Sequence, residues 1–323
     1  EMLAARAASA MGWWSNLTIV VPTSPVPSNP STDTIRAVFA SFALVKGLPR
    51  ARKLVQFDGP QRQLAPRRVQ DYDAFEARVR ELASQHADFA HTAIYRSRTF
   101  LFAAHNLAAA VRNVNTTFML VLQHDFVLAR AFDAAGLLQT MRRNAAIKQV
   151  RLNVRANIAK GFDGFIANYS GDSSVPLTRT CGWSDAAHVV PTRYYLDFCI
   201  PINEADSFGG KRKFMEESMH YRMQRNFMPG GCWELKRNAS LGGRPTEWPD
   251  DFDKYGTYLY GVASPSDGNY MAHRTLRGRA EPQWGLGNHL APEEAMRGSS
   301  QRRGGRGRGA RRGSGRRRGR IGA

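Results

Sequence analysis

Thr117-Phe-Met-Leu-Val-Leu-Gln-His-Asp125 is the stretch that decides the fold. Its apolar run, Phe118 to Leu122, is of strand length and does not alternate. Such a run suits the interior of a sheet covered on both faces. Its polar end, Gln123-His124-Asp125, marks where the chain leaves the sheet. Just upstream, Phe100, Ala104, Leu107, Ala108 and Val111 recur at helical spacing. A helix therefore leads into the strand. Downstream, a further helix is predicted over residues 132–145, then a strand in which Val150, Leu152 and Val154 alternate.

The same punctuation extends toward the N-terminus. Leu17-Thr-Ile-Val-Val21 reads as a buried strand, followed by a turn-rich stretch from Pro22 to Pro30. Ser31 or Asp33 can cap the next helix, whose face carries Ile35, Val38, Phe39, Phe42 and Val45 and which Gly47 and Pro49 stop. Lys53 to Phe57 is a second strand, ending at Asp58-Gly59-Pro60. A helix is expected from near Asp73, with Glu76 as capping partner and Phe75, Val79 and Leu82 as its apolar stripe. Strands and helices thus alternate over the first 155 residues. That pattern predicts an α/β fold with a Rossmann-like, doubly wound, mostly parallel sheet. Ligands of such sheets bind beyond the carboxyl ends of the strands. The positions to watch are Pro22-Thr23, Asp58 and Gln123-His124-Asp125. The second half is less regular, with short helices expected over 193–198 and 213–225 and a late strand over 257–262. It reads as an extension of the same sheet.

The chain has 323 residues, 42% of them hydrophobic, enough for a full core. No apolar run approaches the ~18 residues that span a bilayer. The sequence begins at Glu1, so an upstream targeting segment is an open expectation. Net charge is +19, which points to a nucleic-acid or other polyanion partner, but eleven arginines lie between Arg297 and Arg320. The remainder carries +8 and is only moderately basic. From Arg302 to Gly322 arginine clusters alternate with glycine. Such a segment cannot bury enough surface to offset the entropy of ordering. It resembles RNA-binding Arg-Gly tracts, which makes an RNA-associated protein with a non-catalytic body the rival function. The body shows no RNP, KH or zinc-finger pattern. The expected organisation is a frayed segment over 1–15, one domain over 16–292 and a disordered tail over 293–323.

Cys181, Cys199 and Cys232 have neither CxxC spacing nor an even count, so no zinc site or disulfide framework is expected. They read as buried free thiols, with one disulfide in a secretory compartment left open. Asn-x-Ser/Thr sequons begin at Asn16, Asn115, Asn168 and Asn238.

Several segments, in order, resemble glycosyltransferases of the GT-A fold, the nucleotide-diphospho-sugar transferases, and among them family 2-like enzymes. Thr18-Ile-Val-Val-Pro-Thr23 resembles the first strand of that family, whose end cups the nucleotide. Asp58 matches the acidic position that meets base or ribose. Ala103-Ala-His-Asn-Leu-Ala-Ala-Ala-Val-Arg112, running on to Asp125, resembles the helix that leads into a strand and an Asp-x-Asp motif. His105 stands where the family often has arginine, and Gln123 replaces the first aspartate. The resemblance, over 17–279, implies a nucleotide-sugar donor held by Pro22, Thr23, Asp58, Asn106 and His124. It implies Mn²⁺ or Mg²⁺ on Asp125 and on a late histidine, His273. It also implies a catalytic carboxylate in Glu216-Glu217, with Glu217 as the base that takes the acceptor hydroxyl proton. Asp185, in Trp183-Ser184-Asp185, is a second acidic candidate. Simpler roles stand beside these: Asp125 as cap of the helix near Phe132, Asp58 as a turn residue, Glu216 and Glu217 as helix-start carboxylates, and Asn106 as a packing partner. The acceptor is a hydroxyl group of unspecified chemistry. The compartment expected is cytoplasmic, or a Golgi or secretory lumen.

Overall fold

The computed structural model describes residues 12–61, 63–161, 163–207, 214–226 and 251–274. The Arg/Gly tail, Cys232 and Asn238 lie outside these. The strands are Leu17–Thr23 (β1), Arg52–Phe57 (β2), Thr92–Arg96 (β3), Phe118–Val121 (β4), Phe126–Leu128 (β5) and Gln149–Arg151 (β6), then Ala156–Asn157 (β7), Ile166–Asn168 (β8), Leu177–Thr180 (β9), His188–Pro191 (β10), Thr257–Tyr260 (β11), Ser264–Gly268 (β12) and Met271–His273 (β13). The helices are Asp33–Ser41 (α1), Pro66–Gln85 (α2), Ala103–Val111 (α3) and Ala134–Arg143 (α4). A composite helix, α5, follows, with α-helical ends at Thr192–Tyr194 and Ile200–Asp206 around a π-helical middle, Tyr195–Cys199. Met215–Asn226 (α6) and Phe252–Tyr255 (α7) follow, the last helices among the described residues.

Nine strands form one sheet in the order β3-β2-β1-β4-β10-β6-β11-β9-β8. Only β10 and β9 run against the others, so the expected mostly parallel α/β sheet with flanking helices is present. β4 is buried along its whole length, as its unbroken apolar run requires. β1 lies between β2 and β4, with Thr23 opposite Phe57 and Val20 opposite Val121. The carboxyl ends of all three strands therefore open at the same edge of the sheet. Two small ribbons, β12-β7 and β13-β5, account for the other strands among the described residues.

Several local expectations shift. The helix expected from Asp73 begins a full two turns earlier, with Pro66 in its first turn, where a missing N–H costs nothing. Glu76 is consequently not a cap: its carboxylate binds Arg80 and Arg96 instead. The cap of α4 is Asp133, which accepts the Gly136 N–H at 2.9 Å, so Asp125 has no capping role there. Helix α1 gives way to a 3-10 turn at Phe42–Leu44. Trp13–Asn16, at the end of the segment expected to fray, is a 3-10 turn whose Trp14 ring lies 4.9 Å from the Arg50 guanidinium. Cys199 is a buried free thiol, as expected, whereas Cys181 is disulfide-bonded. Arg151 on β6 is buried and pairs with buried Asp163, which also takes the Thr180 hydroxyl at 2.7 Å and Arg155 at 2.9 Å. These partners hold the Asp163 carboxyl below its ordinary range, although burial alone would raise it.

Candidate functional site

A cavity of about 210 Å³ opens where β1, β2 and β4 end. Its wall includes Pro22, Thr23 and Ser24 after β1, Asp58 and Gln61 after β2, and Gln123 and His124 after β4. Phe100, Phe102 and Asn106 come from the loop into α3 and from α3 itself, and Asp185, Phe214 and Met215 close another side. Pro22, Thr23, Asp58, Asn106 and His124, singled out from sequence for one ligand, therefore share one cavity. Asp185 joins them. Asp125, His273, Glu216 and Glu217 are not on its wall.

Asp58 is 1% exposed, and its carboxylate organises the opposite loop. Oδ1 accepts the N–H groups of Gly59 at 2.8 Å and Leu101 at 2.7 Å, and Oδ2 accepts that of Phe102 at 3.0 Å. Phe102 sits at φ 68°, a conformation that a bulky residue adopts only where its surroundings fix it. Its ring lies 5.0 Å from that of Phe214 and 6.2 Å from that of Phe100. Gly59 is required beside this clamp, because a Cβ there would lie 2.2 Å from the Thr99 carbonyl carbon. Asp58→Asn keeps one acceptor oxygen but sets an amide N–H₂ against backbone donors. It is expected to cost about 1–3 kcal/mol, which lowers Tm by roughly 2–4 °C per kcal/mol in a domain of this size. Calorimetry of the two proteins checks this.

Asn106 is buried at the start of α3 and donates from Nδ2 to the carbonyls of Thr23 and Gln56, both at 3.3 Å. It thereby ties α3 to the ends of β1 and β2, while its Oδ1 is buried with no hydrogen-bond partner. The His124 ring is held below its ordinary pKa, first by burial, and its Nε2 has no partner. A neutral imidazole there offers an acceptor or a donor without charge.

Asp125 follows directly. Its Oδ2 lies 3.0 Å from Nε2 of His273, and its Oδ1 is buried without a partner. The ribbon makes this contact: β13 pairs antiparallel with β5, His273 opposite Phe126, and the Arg274 N–H donates to the Asp125 carbonyl at 2.7 Å. Two residues chosen 148 positions apart are thus brought together. Among the described residues no group of three or more His, Cys, Asp or Glu could hold a metal ion.

The acidic candidates separate. Neighbouring positions on an α-helix point about 100° apart, and the Glu216-Glu217 pair obeys this. Glu216 turns inward, accepting the Ser184 hydroxyl and, at 3.2 Å, the Asp185 N–H. Glu217 is exposed. Asp185 reaches the cavity, and burial, then the Glu216 charge, push its carboxyl up to about 7. Ser184, Phe102 and Phe214 were not singled out from sequence, and Phe100 was read only as part of a helix face. That helix begins only at Ala103, which leaves Phe100 and Phe102 in the loop that faces the cavity.

No described protein family matches the chain, and no curated protein does. Among solved structures, Staphylococcus aureus TarS aligns at 12% identity and a TM-score of 0.35, over 56% of this chain and 29% of that one. A mannosyltransferase, PcManGT from Pyrobaculum calidifontis, in complex with GDP-Man and Mn²⁺, aligns at 13% identity and 0.39, over 82% and 64%. A CMP:2-keto-3-deoxy-manno-octonic acid synthetase complexed with CTP aligns at 15% and 0.35, over 79% and 92%. The match therefore spans under a third of TarS and just under two thirds of the mannosyltransferase.

Proposed function

We propose that the chain is a glycosyltransferase that binds a nucleotide-diphosphate sugar in this cavity and passes the sugar to a hydroxyl acceptor. The observation that carries the reading is the convergence, at the carboxyl ends of β1, β2 and β4, of a cavity and a carboxyl group poised near neutrality, Asp185. Ligands of open α/β sheets bind at that edge. A base whose pKa lies near the working pH combines a usable ionised fraction with a useful proton affinity. In this scheme Asp185 takes the proton of the acceptor hydroxyl as its oxygen attacks the anomeric carbon. Glu216 is a positioning residue: it fixes the Asp185 backbone and its charge keeps the Asp185 proton bound to higher pH. The Asp58 clamp and Asn106 hold the cavity wall in shape.

Asp125 and His273 suit a divalent cation. The unpartnered buried Oδ1 of Asp125 lacks a positive or donor group, and a histidine nitrogen stands beside the other oxygen. Mn²⁺ or Mg²⁺ needs only one or two protein ligands where substrate phosphates and water supply the rest. Such an ion supplies charge neutralisation to a departing diphosphate. Polyanion binding by the tail, residues 293–323, would add to this activity without using its residues.

Thermal unfolding against a panel of nucleoside diphosphates and sugar nucleotides, with and without Mn²⁺, tests the reading. One nucleotide class at ~100 times its Kd is expected to add roughly 2.7 kcal/mol of stability. The absence of any shift across the panel would remove the donor site.

A further inference from the structure

The sequons that begin at Asn16, Asn115 and Asn168 fold into different surroundings. Asn115 lies in the loop between α3 and β4 and is exposed. Its Oδ1 accepts from Arg52 Nη1 at 2.7 Å, and Thr117, two residues on, is exposed as well. Asn168 is the exposed last residue of β8, the outermost strand on its side of the sheet. Its Oδ1 accepts the Ala263 N–H at 2.7 Å, and Ser170 is exposed. In both, the oxygen is engaged, while Nδ2, the atom to which a glycan attaches, has no partner among the described residues. Asn16 is the opposite case. The next residue, Leu17, is 1% exposed, and Thr18 is 4% exposed with its hydroxyl 2.7 Å from that of Thr116. A glycan there would sit against the first residues of a central strand.

An independent feature bears on the compartment. Cys181 is disulfide-bonded, and disulfides persist in oxidising compartments such as the secretory lumen. We propose that Asn115 and Asn168 are acceptor sites for N-linked glycans in an oxidising secretory compartment, and that Asn16 is not. The co-substrate is a glycan carried on a polyprenyl diphosphate. Asn Nδ2 forms a bond to the anomeric carbon, the anomeric C–O bond breaks, the lipid diphosphate leaves with the bonding pair, and Nδ2 gives up one proton to a base. The motif works because the Ser/Thr hydroxyl two residues on completes the acceptor, and the motif marks surface segments of secreted chains. Asn115 precedes β4, whereas the cavity lies beyond that strand's far end, so a glycan there leaves the cavity open. The inference is independent of the proposed transferase activity.

The test is to express the full chain behind a cleavable secretory signal, release N-glycans enzymatically in heavy-oxygen water, and map the peptides. Each occupied asparagine becomes an aspartate bearing the heavy oxygen. Marks are expected at 115 and 168 and not at 16. Thr117→Ala removes the mark at 115 and Thr117→Ser retains it, with Ser170→Ala and Ser170→Thr acting likewise at 168. These exposed substitutions leave both asparagines in place, so loss of the mark is not a folding failure. An unmarked Asn115 or Asn168 in the secreted protein, or a marked Asn16, overturns the proposal.

Discussion

Asp185→Asn lowers the rate of sugar transfer by about 10²–10⁴-fold, the usual contribution of a general base. The isosteric amide keeps the volume and the backbone contact to Glu216 but cannot take a proton. The wild-type rate should rise with pH through about 7, where the Asp185 carboxyl gives up its proton. The variant's residual rate should lose that step. Stability moves the other way, and the sign follows from proton counting. The folded-state pKa is raised, so the folded protein holds a proton that the unfolded chain loses near its ordinary value of about 4. The stability this proton brings is fully present below about pH 4 and is lost as pH rises through about 7. Asparagine removes that dependence. The variant should therefore melt higher than wild type at pH 8, with the gap closing toward pH 4. A variant that loses activity but keeps the step near pH 7 would move the base to another group, Glu216 first.

Asp125→Ala abolishes metal-dependent turnover of the donor, by about 10²–10³-fold or more, while the fold survives. Electrostatic stabilisation of a developing charge is commonly worth this much. Little structure depends on the side chain: one oxygen meets His273 and the other is buried without a partner. Removing it relieves an unpaired buried atom while sacrificing one hydrogen bond, so Tm should move by only a few degrees. His273→Ala should weaken the apparent affinity for Mn²⁺ more than it lowers the rate at saturating metal. Initial rates over a Mn²⁺ titration separate the two effects. Normal turnover by Asp125→Ala would remove Asp125 from the donor site.

The central strands were legible because β1 and β4 are built from apolar runs that no other element explains, and β2 carries Leu54, Val55 and Phe57. The helix α3 was legible from its spacing, and the strand-end residues followed from the fold class. The edge strand β3 was missed because Thr92-Ala-Ile-Tyr-Arg96 is half exposed and short. The far half of the sheet was hard to read for a different reason. β6 was readable from Val150 and Leu152, but the strands of this half also bury charged and polar groups, and nothing in the spacing marks Arg151, buried on Asp163, as interior. Lys53 shows the same effect: it is 1% exposed inside β2, its ammonium donating to the Pro49 and Ala90 carbonyls at 2.6 and 2.7 Å. Burial lowers its pKa to about 8. In the site, the types of the ionisable groups were visible but not their directions. Glu216 and Glu217 are equivalent as letters, and only the helix geometry sends one toward Asp185 and the other to solvent.

β11 lies between β6 and β9 in the middle of the sheet, yet more than seventy residues separate it in sequence from either. During synthesis, β6, β8, β9 and β10 leave the ribosome long before it. Until residue 257 follows them, β6 and β9 have no common neighbour to pair with. The nascent protein therefore carries an open slot with unpaired backbone groups and exposed apolar edges, and contacts so distant in sequence form slowly. Met271–His273 emerges later still, so His273 reaches Asp125 only after the strands of the sheet have been made. A chain that stopped just short of Met271 would hold the cavity residues and lack His273, the partner of Asp125.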